Sequence, residues 1–219
     1  MEKRPFDIIV YGATGFTGKL VVEYLLEHYG FKNDLFNWAI AGRGLKKLEK
    51  LKTDLSEEYI EAKDIKIFVA DSFDADSIEK LSKSANVIIS TVGPYIRYGM
   101  NLVSACAHNG THYCDLTGEV PFIRESIDAY DEIANSNNSK IIHSCGFDSI
   151  PSDLGVLCLQ SEAITKYNSS LNEIKYYVKG TKGGFSGGTI ASMIAISKYI
   201  KSKPNLSGLL SNPYALNSA

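Results

Sequence analysis

The sequence lacks the features that mark metalloproteins, disulfide-stabilised secreted proteins and membrane-spanning proteins. It has four cysteines among 219 residues, with no C-x-x-C pair and no histidine at metal-ligand spacing, so we predict no metal site. No apolar run approaches the length that crosses a bilayer, and no apolar signal segment precedes the first strand. A net charge of −2 gives no electrostatic reason to expect a nucleic-acid partner. These absences predict a cytoplasmic protein with reduced thiols.

The most informative pattern that is present lies at residues 8–18, which read IIVYGATGFTG. This apolar run breaks into glycines spaced G-x-x-G-x-x-G and is followed at once by a helical pattern. A strand, a glycine turn and a helix together predict a dinucleotide-binding site, whose pyrophosphate is held by amides at the helix N-terminus. A glycine turn without a ligand is the alternative. The predicted binding residues are Gly12, Ala13, Thr14, Gly15, Phe16, Thr17 and Gly18.

Six short apolar runs alternate with helical patterns along the first 145 residues. Most of them are continuously apolar, as expected of strands that are covered on both faces. Regular β–α alternation predicts an α/β fold with a Rossmann-type, doubly wound parallel sheet. The predicted strands are Phe6–Tyr11, Trp38–Ala41, Ile65–Ala70, Asn86–Val92, Thr111–Asp115 and Lys140–Cys145. The predicted helices between them are Thr17–His28, Leu45–Leu55, Asp74–Ser84, Tyr98–Asn109 and Val120–Asn135.

The composition changes after about Ser161. Residues 161–172 are polar and predict a connection, Glu173–Lys179 alternates as a half-exposed strand does, and a glycine-rich stretch precedes a helical pattern at Thr189–Lys201. One strand and one helix cannot bury a core of their own. We therefore expect a nucleotide-binding domain at residues 1–160. Residues 161–219 would begin a second α+β domain for substrate binding or dimerisation, which is incomplete in this chain.

The residues after the second, third and fourth predicted strands indicate which nucleotide binds. NAD-binding folds of this type place an acidic residue after the second strand, whereas this sequence has Arg43, which can bind a 2′-phosphate and so favours NADP(H). A solvated turn residue is the alternative for Arg43. Asp71 could accept a hydrogen bond from the adenine amino group or cap the next helix. Val92, Gly93 and Pro94 would pass beneath the cofactor.

Three further loops follow strands at the same edge of the sheet and carry groups able to transfer a proton. The candidates are Tyr95, His143 and Asp148. Each also has a structural interpretation: Tyr95 as a pocket wall, His143 as a satisfied strand residue, and Asp148 as a cap for the helix that starts near Pro151. The sequence leaves these alternatives open and predicts a polar small-molecule pocket beside the nicotinamide.

Taken together, the segments GATGFTG, AGR, TVGPY, THYCDLTGE, CGFDSIPSDLG and GGFSGGT resemble the saccharopine dehydrogenase-like oxidoreductases. That family includes the trans-acting enoyl reductases of lipid biosynthesis, and the resemblance covers essentially the whole chain. It implies that residues Gly12 to Gly18 hold the pyrophosphate of NADP, that Arg43 binds its 2′-phosphate, and that Val92 to Tyr95 face the nicotinamide.

The GGFSGGT stretch and the segment Asn212-Pro213-Tyr214-Ala215-Leu216 are similar to the enoyl-reductase members. The resemblance therefore implies reduction of a carbon–carbon double bond conjugated to a carbonyl, on a small and lipid-like substrate. Family members continue beyond this sequence, and the longer forms imply a homodimer and, for some, association with membranes or lipid droplets.

Three alternatives remain open. A short-chain dehydrogenase would use a Y-x-x-x-K pair, which occurs as Tyr59/Lys63 and as Tyr199/Lys203, the latter with Ser186 upstream. The chain could instead bind NADP(H) as a sensor without turnover, since a fold alone does not settle function. It could also be an inactive fragment.

Overall fold

A six-stranded sheet lies at the centre of the structure, a computed structural model that describes residues 4–31, 33–184, 186–203 and 208–217. The strands are β1 (Phe6–Tyr11), β2 (Trp38–Gly42), β3 (Lys66–Val69), β4 (Ala85–Ser90), β5 (His112–Asp115) and β6 (Ile141–Ile142). The helices are α1 (Phe16–Tyr29), α2 (Leu45–Ser56), α3 (Ala75–Lys83), α4 (Tyr95–Tyr98), α5 (Met100–Asn109), α6 (Val120–Ser136), α7 (Ile150–Tyr167) and α8 (Gly187–Ser202), with a 3-10 helix at Ile60–Asp64.

All strand pairs of the described sheet are parallel, in the spatial order β3-β2-β1-β4-β5-β6. The predicted doubly wound parallel sheet is thus confirmed. Strand β1 is central, since Ile8 is aligned with Trp38 of β2 on one side and with Val87 of β4 on the other. The strand order reverses between β1 and β4. In open parallel sheets, ligands bind in the crevice that this reversal leaves beyond the carboxyl ends.

Alternate side chains of the central strands are buried on opposite faces of the sheet. Ile9 of β1 belongs to one apolar cluster together with Leu102 of α5. The next residue, Val10, belongs to a second cluster with Val22 of α1 and Leu48 of α2. All five side chains are at most 1% exposed. Helices therefore cover both faces, which is why the strands are continuously apolar rather than alternating.

Two predicted elements near the sheet were only partly right. The helix predicted at Tyr98–Asn109 begins at Met100, as α5, and a separate short helix α4 precedes it; between them lies Gly99, where a Cβ atom would lie 2.8 Å from the Phe122 ring. The strand predicted at Lys140–Cys145 is limited to Ile141–Ile142, which pair with β5. It ends early because the Asp115 carboxylate accepts the backbone N–H of Ser144, and Ser144 adopts a positive φ of 62°.

The later part of the chain differs more from its prediction. Residues 161–167, predicted as a connection, continue helix α7 to Tyr167, so the predicted domain boundary at residue 160 falls inside a helix and remains a prediction. The strand predicted at Glu173–Lys179 pairs with none of the described strands. An alternating pattern specifies which side chains share a face, but a strand forms only beside a partner.

Helix α8 packs against α4, so it lies near the carboxyl end of β4. No residue of α8 is buried, and Ile190, Met193 and Ile194 are half exposed. In α7, Ala163 is the single buried residue. Within the described ranges, no helix combines the length and apolar character needed to cross a membrane.

Candidate cofactor site

The turn after β1 depends on glycine at two positions. Gly12 has a φ of +91° and donates its N–H to the Ala41 carbonyl at 2.9 Å. A Cβ atom on Gly12 would lie 2.7 Å from Thr91 Oγ1 and 2.7 Å from Val92 Cγ2. A Cβ atom on Gly18, in the first turn of α1, would lie 2.1 Å from the Gly12 carbonyl oxygen. Both glycines are therefore required by the packing of the turn itself.

Gly15, between them, faces outward. It is exposed and precedes α1 as its N-cap, and a Cβ atom on it would approach only the Gly12 carbonyl oxygen, at 3.2 Å. No side chain caps this helix end, and no acidic residue lies in the first turn. The first N–H groups of α1 therefore point outward without a competing acceptor, at the positive end of the helix dipole. This arrangement fits a dinucleotide pyrophosphate.

A cleft of about 370 Å³, here called the first cleft, lies at the carboxyl ends of β1 to β4. Its lining residues are Tyr11, Gly12, Thr14, Gly15, Gly42, Arg43, Asp71, Ser72, Thr91, Val92, Gly93, Pro94 and Tyr98. It thus brings together eight of the predicted cofactor residues, drawn from four separate loops. Of the others, Phe16 and Thr17 lie in a neighbouring cleft, whereas Ala13, which is fully buried, and Gly18 line neither cleft. The sequence analysis missed five lining residues: Tyr11, Gly42, Ser72, Thr91 and Tyr98.

Arg43 lies at the β2 side of the first cleft. Its side chain is exposed, and within the described part of the chain its guanidinium has no hydrogen-bond or ion-pair partner. The adjoining helix α2 begins after Gly44 with no side-chain cap and no acidic residue in its first turn. A free guanidinium beside an uncapped helix N-terminus fits the 2′-phosphate that distinguishes NADP from NAD.

Asp71 also lines the first cleft, and it does not cap the helix that follows. Its Oδ1 accepts the N–H of Phe73 at 3.0 Å, within its own turn. The cap of α3 is Asp74, whose Oδ1 accepts the N–H groups of Asp76 and Ser77. The helix-cap interpretation of Asp71 was therefore wrong.

A second cleft of about 490 Å³ adjoins the first, and the two share Gly15, Thr91 and Gly93. Its other lining residues are Phe16, Thr17, Tyr95, Leu116, Thr117, Gly118, Glu119, Asp148, Ser186, Gly188, Thr189, Ser192, Met193 and Ile196. Hydroxyl groups and apolar side chains of α8 thus form one wall. The two clefts lie side by side across the point where the strand order reverses, between β1 and β4. One extended ligand can therefore occupy both clefts.

The three proton-transfer candidates have different surroundings. Tyr95 lines the second cleft, but it is 5% exposed and donates its hydroxyl to the Ser90 carbonyl at 3.1 Å, while burial raises its pKa well above the usual value. His143 lines neither cleft. Asp148 lines the second cleft with an exposed side chain, and α7 has no side-chain cap at its N-terminus. The geometry therefore favours the wall interpretation for Tyr95 and leaves Asp148 accessible.

His143 belongs instead to a buried network. Its Nδ1 lies 2.8 Å from Asp115 Oδ2, and its Nε2 lies 2.9 Å from Ser126 Oγ. This is the connectivity of a hydrolytic triad. Ser126 is 3% exposed and Asp115 is 2% exposed, and Ser126 and His143 line a separate cavity of about 400 Å³ that shares no residue with the first or the second cleft. The network joins β5, the loop after β6 and α6. The structural interpretation of His143 is the one that the geometry supports.

Tyr199 and Lys203 form the hydroxyl–ammonium pair that a short-chain dehydrogenase uses, yet neither lines a cleft. The Tyr199 hydroxyl donates to the Glu125 carboxylate, and Lys203 Nζ donates to the same oxygen at 2.8 Å. Burial and the Glu125 hydrogen bond raise the pKa of Tyr199. Since a tyrosine general acid works best with a lowered pKa, this pair is poorly suited to protonate a substrate.

The change Tyr199→Phe is expected to leave NADPH turnover within about threefold of wild type, because loss of a true general acid costs roughly 10²–10⁴-fold. NADPH consumption and NADPH affinity are measured together, with the exposed Tyr167→Phe as the control. Collapse of turnover with intact NADPH binding would restore the short-chain dehydrogenase interpretation.

Comparison with known families and relatives agrees with this geometry. The family described as saccharopine dehydrogenase NADP binding domain matches residues 8–142. A trans-acting enoyl reductase of Mycobacterium leprae is 37% identical over 218 residues, covering 99% of this chain and 50% of the relative. A Mycobacterium tuberculosis relative, which is provisionally assigned the same activity, is 42% identical over 214 residues. The match covers 98% of this chain and 49% of the relative. This chain spans about half the length of these relatives.

Among solved structures, saccharopine dehydrogenase (L-Glu forming) from Saccharomyces cerevisiae superposes with a TM-score of 0.55 at 20% identity. The superposition covers 73% of this chain and 32% of the yeast enzyme. At that identity the likeness shows a shared fold and nothing about the substrate.

Proposed function

Because this chain belongs to the saccharopine dehydrogenase NADP-binding family, we propose that it is an NADPH-dependent oxidoreductase that reduces a carbon–carbon double bond conjugated to a carbonyl. One observation carries the proposal: the uncapped α1 N-terminus and the free Arg43 guanidinium line a cleft that continues across the sheet into a second cleft. The first cleft has the groups for a phosphorylated adenosine, and the second has room for a substrate.

The proposed cofactor contacts follow from the position of each group. The first amides of α1, at residues 16–18, bind the pyrophosphate, since the N–H of Gly15 already donates to the Gly12 carbonyl at 2.9 Å. Arg43 binds the 2′-phosphate, and Asp71 accepts from the adenine amino group. Val92, Gly93 and Pro94 support the dinucleotide from below as it passes between the clefts. When bound, NADPH supplies the hydride, and the protein positions the two reactants.

The second cleft supports a substrate that is partly apolar. Leu116, Met193 and Ile196 line it, and the relatives are named as enoyl reductases. Hydride addition to an enoyl group places negative charge on the carbonyl oxygen. Ser186 and Thr189, at the N-terminus of α8, line the same cleft. Ser186 Oγ caps this end by accepting the N–H of Thr189 at 3.1 Å, and we propose that the remaining positive end of the helix dipole stabilises this charge. We propose an acyl chain with lipid character as the substrate.

We also assign residues 161–219 to a second domain used for substrate binding or dimerisation. The half-exposed apolar side chains of α8 support this assignment, because such a surface generally packs against further protein. The relatives are also about twice as long as this chain.

The test is to mix the chain with NADPH and an α,β-unsaturated acyl thioester. Loss of NADPH absorbance and a product heavier by two hydrogen atoms are expected, with the saturated thioester as the control. NADPH binding without turnover across enoyl and imine substrates would indicate a sensor. A broad, weakly cooperative thermal transition without binding would indicate an inactive fragment.

A further inference from the structure

We infer that Glu119 is a positioning residue: its buried carboxylate fixes the turn after β4 on which the nicotinamide half of the dinucleotide rests. The inference depends on the proposed function, since it concerns the same cofactor. Glu119 follows β5 in the chain, and it lines the second cleft together with Gly93 and Tyr95.

Among the residues that the structure describes, backbone N–H groups alone donate to the carboxylate of Glu119. The N–H of Tyr95 donates to Oε1 at 2.9 Å, and the N–H of Ile96 donates to Oε2 at 2.7 Å. Glu119 is 2% exposed, and no lysine, arginine or histidine of the described residues forms an ion pair with it. Burying a charge is unfavourable unless hydrogen bonds satisfy it, and here both oxygens are used on one short turn.

Glu119 is itself held in place by the sheet. Its N–H donates to Thr117 Oγ1 at 3.1 Å, and the N–H of Thr117 donates to Asp115 Oδ1 at 3.0 Å. Asp115 is the last residue of β5 and is 2% exposed. A continuous chain of hydrogen bonds therefore leads from the end of β5 to the first turn of α4.

The turn that Glu119 holds is shared by the two clefts. Gly93 and Pro94 come directly before Tyr95, and Gly93 lines both clefts. A Cβ atom on Gly93 would lie 3.7 Å from Ser192 Oγ of α8, so this turn is also close to the α8 wall of the second cleft. Displacement of Tyr95 and Ile96 would move the support beneath the nicotinamide half, while the Arg43 side of the first cleft lies on β2 and is unaffected.

If Glu119 positions the turn, its loss should weaken binding of the nicotinamide half of the cofactor and leave binding of the adenosine half unchanged. A merely structural role would affect both halves alike. The measurement is titration calorimetry of wild type and Glu119→Gln with two probes: NADPH, and adenosine 2′,5′-bisphosphate, which occupies only the adenosine half. Glutamine keeps the shape, but its amide nitrogen cannot accept an N–H bond. We expect NADPH affinity to fall about tenfold or more, and the bisphosphate affinity to stay within about twofold.

A matched control is Glu61→Gln. Glu61 Oε1 also accepts a backbone N–H, that of Phe31 at 2.6 Å, but it lines neither cleft, so both affinities should be unchanged. If Glu119→Gln does not fold, as judged by circular dichroism, Thr117→Val removes the hydroxyl that holds the Glu119 N–H. The same selective loss for NADPH is expected from it.

Two results would overturn the inference in different ways. If wild type binds both probes and the variant weakens them equally, or weakens neither, the carboxylate has no positioning role. If wild type binds neither probe, the proposed cofactor is wrong, and the inference is overturned with it.

Discussion

Replacing Arg43 by glutamate is expected to weaken NADPH binding about 100-fold or more and to leave NADH binding unchanged or improved. Within the described residues the guanidinium has no partner, so nothing else in the protein offsets its interaction with a 2′-phosphate. The change removes a charge-assisted, bidentate contact and adds a carboxylate that repels the phosphate. The same carboxylate can accept from the 2′-hydroxyl of NADH.

The ratio of the two dissociation constants is the quantity to measure, because it cancels any general effect on folding. Lys50→Glu is a suitable control: it carries the same change in charge on the neighbouring helix, where Lys50 pairs with Asp54 at 2.9 Å. An NADPH-to-NADH ratio that stays the same in Arg43→Glu would show that Arg43 is a solvated turn residue.

The sequence predicted the nucleotide-binding half of the chain well because its signals are local. Gly12 and Gly18 are dictated by a turn that packs against itself, as the close approach of Gly18 to the Gly12 carbonyl oxygen shows. The strands of the sheet are covered on both faces, so each is visible as a short apolar run. Arg43 could be singled out because its proposed role depends only on its position after β2.

The parts that were missed depend on contacts between distant segments. The carboxylate of Glu119 binds two amides, 24 and 23 residues earlier in the chain, and no spacing rule indicates that pairing. Likewise, the alternation at Glu173–Lys179 gives no information on whether a partner strand is present, and the structure shows none among the described strands. The α8 wall of the second cleft was missed for the same reason, since only packing against α4 brings it there.

The outer glycines of the GATGFTG segment should affect stability, whereas the middle one should affect cofactor binding, and substitution can test this difference. A Cβ atom on Gly18 would lie 2.1 Å from a backbone oxygen, which cannot move aside without disrupting the turn. Gly18→Ala is therefore expected to destabilise the protein by about 3 kcal/mol or more. For a chain of this size, that lowers the melting temperature by roughly 10 °C.

Gly15→Ala should change stability little and weaken NADPH binding. Gly15 has φ −76° and ψ 166°, which alanine adopts freely, and its Cβ atom would meet only the Gly12 carbonyl oxygen at 3.2 Å. Loss of glycine at this N-cap costs at most about 1 kcal/mol. The added methyl group, however, would stand in front of the amides proposed to hold the pyrophosphate, so NADPH affinity should fall at least about tenfold.

Thermal melting and NADPH titration of both variants test these two roles, packing for Gly18 and pyrophosphate binding for Gly15. Each variant serves as the control for the other. A Gly15→Ala protein that melts normally and binds NADPH as wild type does would show that the pyrophosphate is not held at the α1 N-terminus. A Gly18→Ala protein of wild-type stability would show that α1 does not pack so closely against the turn. Because the structure assigns the packing of the turn to Gly18 and we propose that the pyrophosphate lies at Gly15, neither result can be explained by the other.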